Sequence, residues 1–373
     1  MIFVDNLGFV TGLPWWTQHM SREANGMTYV DMVFPAFLFL MGMAIPVSID
    51  ARKARRDTTA RISGHVLLRS LTLVALGLFV ANAPQVDAGY TGLSFPWWAA
   101  LVFVAIILVL IEFPGLKKRK AAFWILKLLG LALFVSLLVM YRRVTAEGGV
   151  AWLDFSDWEI LGLLGWAYFS VAAIYLWFGK KLAILVPILG ALVAVNALSV
   201  AGRLAWLQGL PPFLKPFEAG MSSLTMAGLL ASLLIVGDTV GETFAKKARC
   251  VASSAAVLLA VGYLLRPLGI SKIRDTPTWC LYCMAANLVI AMLLYWIADV
   301  QGWTKWAGFT RPVGQNPLLS YFLPYVAYFS PTLFRLTAGG TSHWLGVWRS
   351  FLFAAGIWML VSVLDRLKVR LRV

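Results

Sequence analysis

Long apolar runs alternate with short polar segments along almost the whole chain. The runs lie near 29–49, 64–82, 97–113, 121–141, 158–178, 182–201, 222–240, 250–266, 279–299, 316–329 and 344–365. Most are close to the roughly 20 residues that a helix needs to cross a bilayer. None shows the strict apolar–polar alternation of a barrel strand. Inside lipid the backbone must satisfy its own hydrogen bonds, so such runs predict helices. Residues 1–12 read as the end of one more helix. MIFVDNLG is apolar and then abruptly polar, with neither a charged lead-in nor a small-residue cleavage site, so it is not a signal peptide. The expectation is that the true start lies upstream and that most of the first helix is missing. The predicted fold is all-α: a polytopic membrane bundle of about eleven complete transmembrane helices plus a truncated first one, forming a single domain over 1–373.

Composition agrees. The chain is 60% hydrophobic with a mean hydropathy of +0.79, and only 13% of its residues are charged. A soluble domain carries about a quarter. The net charge of +15 raises the question of nucleic acid. The lysines and arginines, however, sit in short loops between apolar runs. Loops 50–63, 114–120, 179–181, 241–249, 300–315 and the tail 366–373 hold roughly twice as many as the alternate set. That is a positive-inside signal, not a nucleic-acid face. It places the tail RLKVRLRV in the cytoplasm and the loops carrying His19, Lys272, Arg274 and His343 on the opposite side. No nucleic-acid partner is expected, and membrane lipid is. Cys280 and Cys283 form C-x-x-C inside an apolar run without a histidine or a second pair nearby, which favours small packing residues over a metal or redox site.

Polar residues at membrane depth are costly and mark function or a specific partner. The candidates are Asp5, Asn6, Asp31, Arg69, Asn82, Lys127, Asn196, Asp238, Asn287, Asn316 and Arg349. Lys127 lies near a cytoplasmic end, where its stem would snorkel. Arg69 lies about one turn inside its run, where its fork suits a phosphate or simply reaches the interface. Pro35, Pro46, Pro317 and Pro324 fall within apolar runs, where each frees a carbonyl.

The densest chemistry is in PWWTQHMSREANGMTYVDMVFPAFLFLMG, residues 14–42. His19 stands beside Trp15 and Trp16, a short way before a run that opens with Asp31. An imidazole with a carboxylate nearby suits proton transfer. The plainer alternative is an interfacial histidine in an aromatic belt. Asp5 and Asn6 precede it by about a dozen residues and would fix the imidazole tautomer if the first helix ends beside that loop. There is no P-loop, G-x-S-x-G, H-E-x-x-H or dinucleotide fingerprint, so nucleotide hydrolysis, serine hydrolysis and zinc proteolysis lack support.

These residues resemble a known family. MIFVD, His19 and NGMTYVDMVFPAFLFLMG from Asn25 to Gly42 look like the heparan-α-glucosaminide N-acetyltransferase-like transmembrane acyltransferases, most of all bacterial members of DUF5009 type. Further likenesses follow in order: Arg69, Ser70, Gly77 and Asn82; ILGLLGWAY from Ile160 to Tyr168; SKIRDTPTW from Ser271 to Trp279; and Pro312 to Tyr321 with Gly314 and Asn316. The likeness is weak from 83 to 157. The family has asparagine where Asp5 stands, and the runs near 97–113 and 121–141 look inserted.

The resemblance implies acetyl transfer from cytosolic acetyl-CoA, the acyl donor, to an amino sugar or glycan acceptor across a bacterial inner membrane, with no metal. It places His19, Asp5, Asn6 and Asp31 at the catalytic centre and Arg69, Asn82, Asn316 and Tyr321 toward the donor. Trp15, Trp16, Asn25, Lys272 and Trp279 fall toward the acceptor. A cell-wall or scavenged sugar amine or hydroxyl is the expected acceptor. His19 acts either as a base or as an acyl carrier, and the sequence leaves both open. A homodimer also stays open. So do two other readings: a transporter of a small sugar-like solute, and a non-catalytic membrane partner in glycan utilisation.

Overall fold

Among the described residues, each of the eleven apolar runs carries a helix. The computed structural model describes residues 1–112, 119–156, 158–208, 219–237, 241, 243–329 and 342–371. After a short α1 (Ile2–Leu7) come α2 (Val33–Ala54), α3 (Thr59–Asn82), α4 (Phe95–Leu110), α5 (Lys120–Met140) and α6 (Glu159–Phe178). Then follow α7 (Leu182–Val200), α8 (Gly220–Ile235), α9 (Phe244–Leu264), α10 (Pro277–Tyr295), α11 (Pro317–Phe329) and α12 (His343–Arg366). Among the described residues, eight helical segments are long and apolar enough to cross a membrane. The apolar helices α4 and α8 have 16 residues each, about 24 Å of rise, and α11 has 13. Among the described residues, strand is confined to two antiparallel pairs of two residues each, Ile111–Glu112 with Arg370–Leu371 and Arg143–Val144 with Val150–Ala151.

The contacts divide the chain into two compact units: Met1–Gln18, Leu78–Asp157 and Lys305–Val373 form one, His19–Gly77 and Trp158–Thr304 the other. The second is built on a close crossing of α2 and α8. A side chain at Gly42 would put its Cβ 1.9 Å from the Thr225 carbonyl oxygen, and one at Gly228 would sit 1.9 Å from that of Phe39. The two backbones touch because both helices present a glycine, the way small residues drive helix association in lipid, where burial of apolar surface gives little. Around the crossing pack Phe34, Leu38, Leu224, Trp279 and Met284 on one side and Ile45, Tyr168, Tyr175 and Leu229 on the other.

In the first unit α4 pairs with α5, and Gly130 admits the Leu108 side chain. Three expectations change there or nearby. Lys127 does not snorkel: its ammonium donates to the Val109 carbonyl, in the last turn of α4. A helix C-terminus has unpaired carbonyls and a negative dipole end, and the cation satisfies both. Pro35 and Pro317 are not mid-helix prolines, because each lies in the first turn of its helix, where no amide partner is lost; Pro46 and Pro324 do lie inside α2 and α11. Asp238 lies outside the described residues.

Candidate functional site

The site grows from the way α2 begins. Before the α-helix proper, Val30–Met32 form one turn of 3-10 helix. Thr28 and Asp31 cap it reciprocally. The Thr28 hydroxyl accepts from the Val30 amide at 3.2 Å, and Asp31 Oδ2 accepts from the Thr28 amide at 3.0 Å. The arrangement is similar to a capping box, with the hydroxyl on the Val30 amide rather than that of Asp31. The Met20 amide also donates to Oδ2, at 3.5 Å. These bonds use one carboxylate oxygen and aim the other outward. Asp31 Oδ1 accepts from His19 Nδ1 at 2.7 Å. A carboxylate at neutral pH only accepts, so Nδ1 carries a proton, and in the neutral ring Nε2 holds the lone pair. Asp31 is 1% exposed, whereas the His19 side chain is 45% exposed. The anchor is therefore buried and the reactive ring edge is open.

Lys272 completes the group. Its ammonium lies 3.4 Å from both ring nitrogens of His19. The in-plane directions of the two nitrogens diverge, so an atom equidistant from both lies over the ring and leaves the Nε2 lone pair clear. The loop bearing Lys272 is joined to the His19 loop by two bonds. The Ile270 amide donates to Asn25 Oδ1 at 2.8 Å, and the Gly26 amide donates to the Ile270 carbonyl at 2.9 Å. Trp279 is fully buried in the apolar cluster with Phe34 and Leu38, and its indole N–H has no partner among the described residues.

His19, Asp31, Asn25, Lys272 and Trp279 therefore share the second unit; His19 touches Asp31 and Lys272, and Asn25 bonds to Ile270, two residues before Lys272. Arg69 is in the same unit, but α3 begins at Thr59, so Arg69 lies about 15 Å along it, deeper than one turn. There its guanidinium stacks 5.0 Å from the centre of the Tyr168 ring.

The remaining expected site residues belong to the first unit. Trp15 and Trp16 are exposed on a short 3-10 turn. Asn6 is fully buried, with neither amide atom partnered among the described residues. Asp5 is its neighbour on α1. Asn82 closes the end of α3. Its amide nitrogen donates to the Leu78 and Asp154 carbonyls, both at 2.9 Å, and its oxygen accepts from the Asp154 amide at 2.6 Å. Both donors are taken within this unit, so a donor-binding role for Asn82 has no hydrogen left to act through. Asn316 donates to Asp365 at 3.1 Å, and the Tyr321 and Tyr325 hydroxyls share a bond of 2.8 Å.

Sequence reasoning missed Thr28 and the amide of Met20. The spacing of Thr28 and Asp31 is a capping signal that could have found the first.

A family model described as "Domain of unknown function (DUF5009)" matches residues 7–210, a stretch that includes His19, Asn25, Thr28 and Asp31. Heparan-alpha-glucosaminide N-acetyltransferase of Homo sapiens is 35% identical over 82 residues, 22% of this chain and 12% of that protein. The Mus musculus protein of the same name is 34% identical over 82 residues, with the same shares. The chain thus matches about an eighth of the length of these relatives.

Proposed function

The chain belongs to the DUF5009 family, and from that premise we propose that it is a membrane-embedded acyltransferase moving an acetyl group from acetyl-CoA to an amine or hydroxyl of a sugar. The observation that carries the reading is His19 held at Nδ1 by a buried carboxylate, with the Nε2 lone pair open on a half-exposed ring. That is the geometry of a general base. The likeness to the named N-acetyltransferases supports the choice of donor and of a glycan acceptor.

In the direct mechanism, Nε2 takes a proton from the acceptor as its nitrogen or oxygen attacks the thioester carbonyl. The carbon–sulfur bond then breaks, and the proton passes to the departing thiolate. Asp31 stabilises the imidazolium formed in between, and Lys272 opposes it, so the ring returns its proton readily. In the alternative route Nε2 itself attacks the thioester and carries the acetyl group to the acceptor. Arg69 and the loop Arg52, Arg55 and Arg56 are the cations we assign to the donor's phosphates. Asn25 and Trp279 are assigned to the acceptor. We assign the protein to a bacterial inner membrane, with the donor side in the cytoplasm and His19 on the far side, a reading the loop charges support.

The test uses the protein reconstituted in vesicles, with labelled acetyl-CoA and a panel of amino sugars. His19→Ala is expected to lower transfer by about 10²-fold or more while the thermal unfolding midpoint is retained. An unchanged rate would sink the assignment.

A further inference from the structure

We infer that Asp275 is a positioning residue that holds the Lys272 ammonium over the His19 ring, an inference that rests on the reading of His19 as the reacting group. A lysine on a flexible stem keeps a fixed place only if its backbone is fixed. The loop around Lys272 is closed on itself. The Ser271 amide donates to the Thr276 hydroxyl at 2.9 Å, the Thr276 amide to the Ser271 carbonyl at 3.1 Å, and the Asp275 amide to the Lys272 carbonyl at 3.1 Å. Asp275 closes this ring with φ at 49°, a left-handed conformation that a residue with a Cβ keeps only when its surroundings impose it.

Three helices impose it. From α7, Asn196, itself 3% exposed, donates its amide to the Asp275 carbonyl at 2.9 Å. From α10, the Cys280 thiol donates to Asp275 Oδ1 at 3.3 Å. From α8, Gly220 lies so close that a Cβ there would stand 1.9 Å from Asp275 Oδ2. Gly220 is the first residue of α8, so the carboxylate rests on a helix N-terminus, whose unpaired amides and positive dipole end favour an anion. On the other side of Lys272, Asn25 and Gly26 hold Ile270. The backbone that carries Lys272 is therefore anchored on both sides, by Asn25 and Gly26 before it and by Asp275 after it.

The experiment reads the His19 ring directly. The protein has three histidines, so ring-nitrogen resonances of the ¹⁵N-histidine-labelled full chain in detergent resolve His19 from His65 and His343. Asp275→Asn is expected to move the His19 pair and leave the other two in place. Lys272→Met is expected to move it in the same way, and the double variant no further than either alone. Asn196→Ala removes only the backbone anchor and is expected to shift His19 in the same direction; it serves if Asp275→Asn does not fold. His19 resonances unchanged in the folded Asp275 or Asn196 variant, or additive shifts in the double variant, would overturn the inference. The readout needs no acetyl donor. A chain that shows the coupling but transfers nothing leaves the positioning intact and refutes the acyltransferase instead.

Discussion

At the scale of single residues, Asp31 divides its two oxygens between tasks. Oδ2 caps the first turn of α2 and Oδ1 holds the imidazole. The chemistry thus depends on the same turn that starts a membrane helix, which gives the anchor its rigidity. Asp31→Asn keeps the size and much of the capping, but an amide can donate to Nδ1 and stabilise the wrong tautomer. We expect kcat for transfer to fall by about 10²- to 10⁴-fold with donor KM nearly unchanged, measured in the vesicle assay. A second carboxylate makes a stability prediction. Asp154 Oδ1 accepts from the Ser156 amide at 2.8 Å, and Arg143 lies 3.3 Å from Oδ2. The hydrogen bonds from Ser156 first, and then the guanidinium, hold its carboxyl below the usual range. A depressed carboxyl stabilises the fold above its unfolded value and loses that contribution as pH falls through the folded one. Thermal unfolding of wild type and Asp154→Asn should therefore differ at pH 7 and converge in acid below the ordinary carboxylate range. A gap that stays constant with pH would contradict it.

At the scale of elements, the crossing of α2 and α8 is set by absence of side chains. Gly42 and Gly228 each face a carbonyl of the opposite helix, so even a methyl group forces the helices apart. Gly42→Ala or Gly228→Ala should cost at least about 1–3 kcal/mol, seen as a lower unfolding midpoint in detergent. Gly190 in α7 has open space around it, and Gly190→Ala should be neutral or stabilising by up to about 1 kcal/mol. Equal effects at the three positions would show that helix propensity, rather than the close crossing, governs them. Lys127 teaches a related point. A lone cation in an apolar helix reads as an interfacial residue, yet it satisfies the end of the preceding helix.

At the scale of the molecule, the loops decide orientation. If the basic loops are cytoplasmic, a cysteine at exposed Glu23, four residues from His19, should react with an impermeant thiol reagent on intact spheroplasts. One at Lys368 in the tail should react only after permeabilisation. Cys280 and Cys283 are buried, so replacing half-buried Cys250 suffices as background. The reverse pattern would invert the topology and put His19 on the donor side.

The helical character of the apolar runs, their membrane setting and the stretch that carries His19 and Asp31 were legible in the chain. In lipid each apolar run must complete its own hydrogen bonds, so local pattern decides local structure. The His19–Asp31 pair was within reach because only twelve residues separate them. Lys272 is 253 residues from His19 and entered only through resemblance; its place over the ring depends on how two loops are held by α7, α8 and α10. Asn82 read as a site residue through the resemblance. Its partner, Asp154, is 72 residues away, and only packing shows that its donors are taken. Gly42 and Gly228 are unremarkable glycines until two helices cross. What the sequence determined by itself was what each segment must do to exist in a bilayer. What only the tertiary structure decided was which distant groups meet, because that depends on side-chain volumes at the crossings and not on any local pattern.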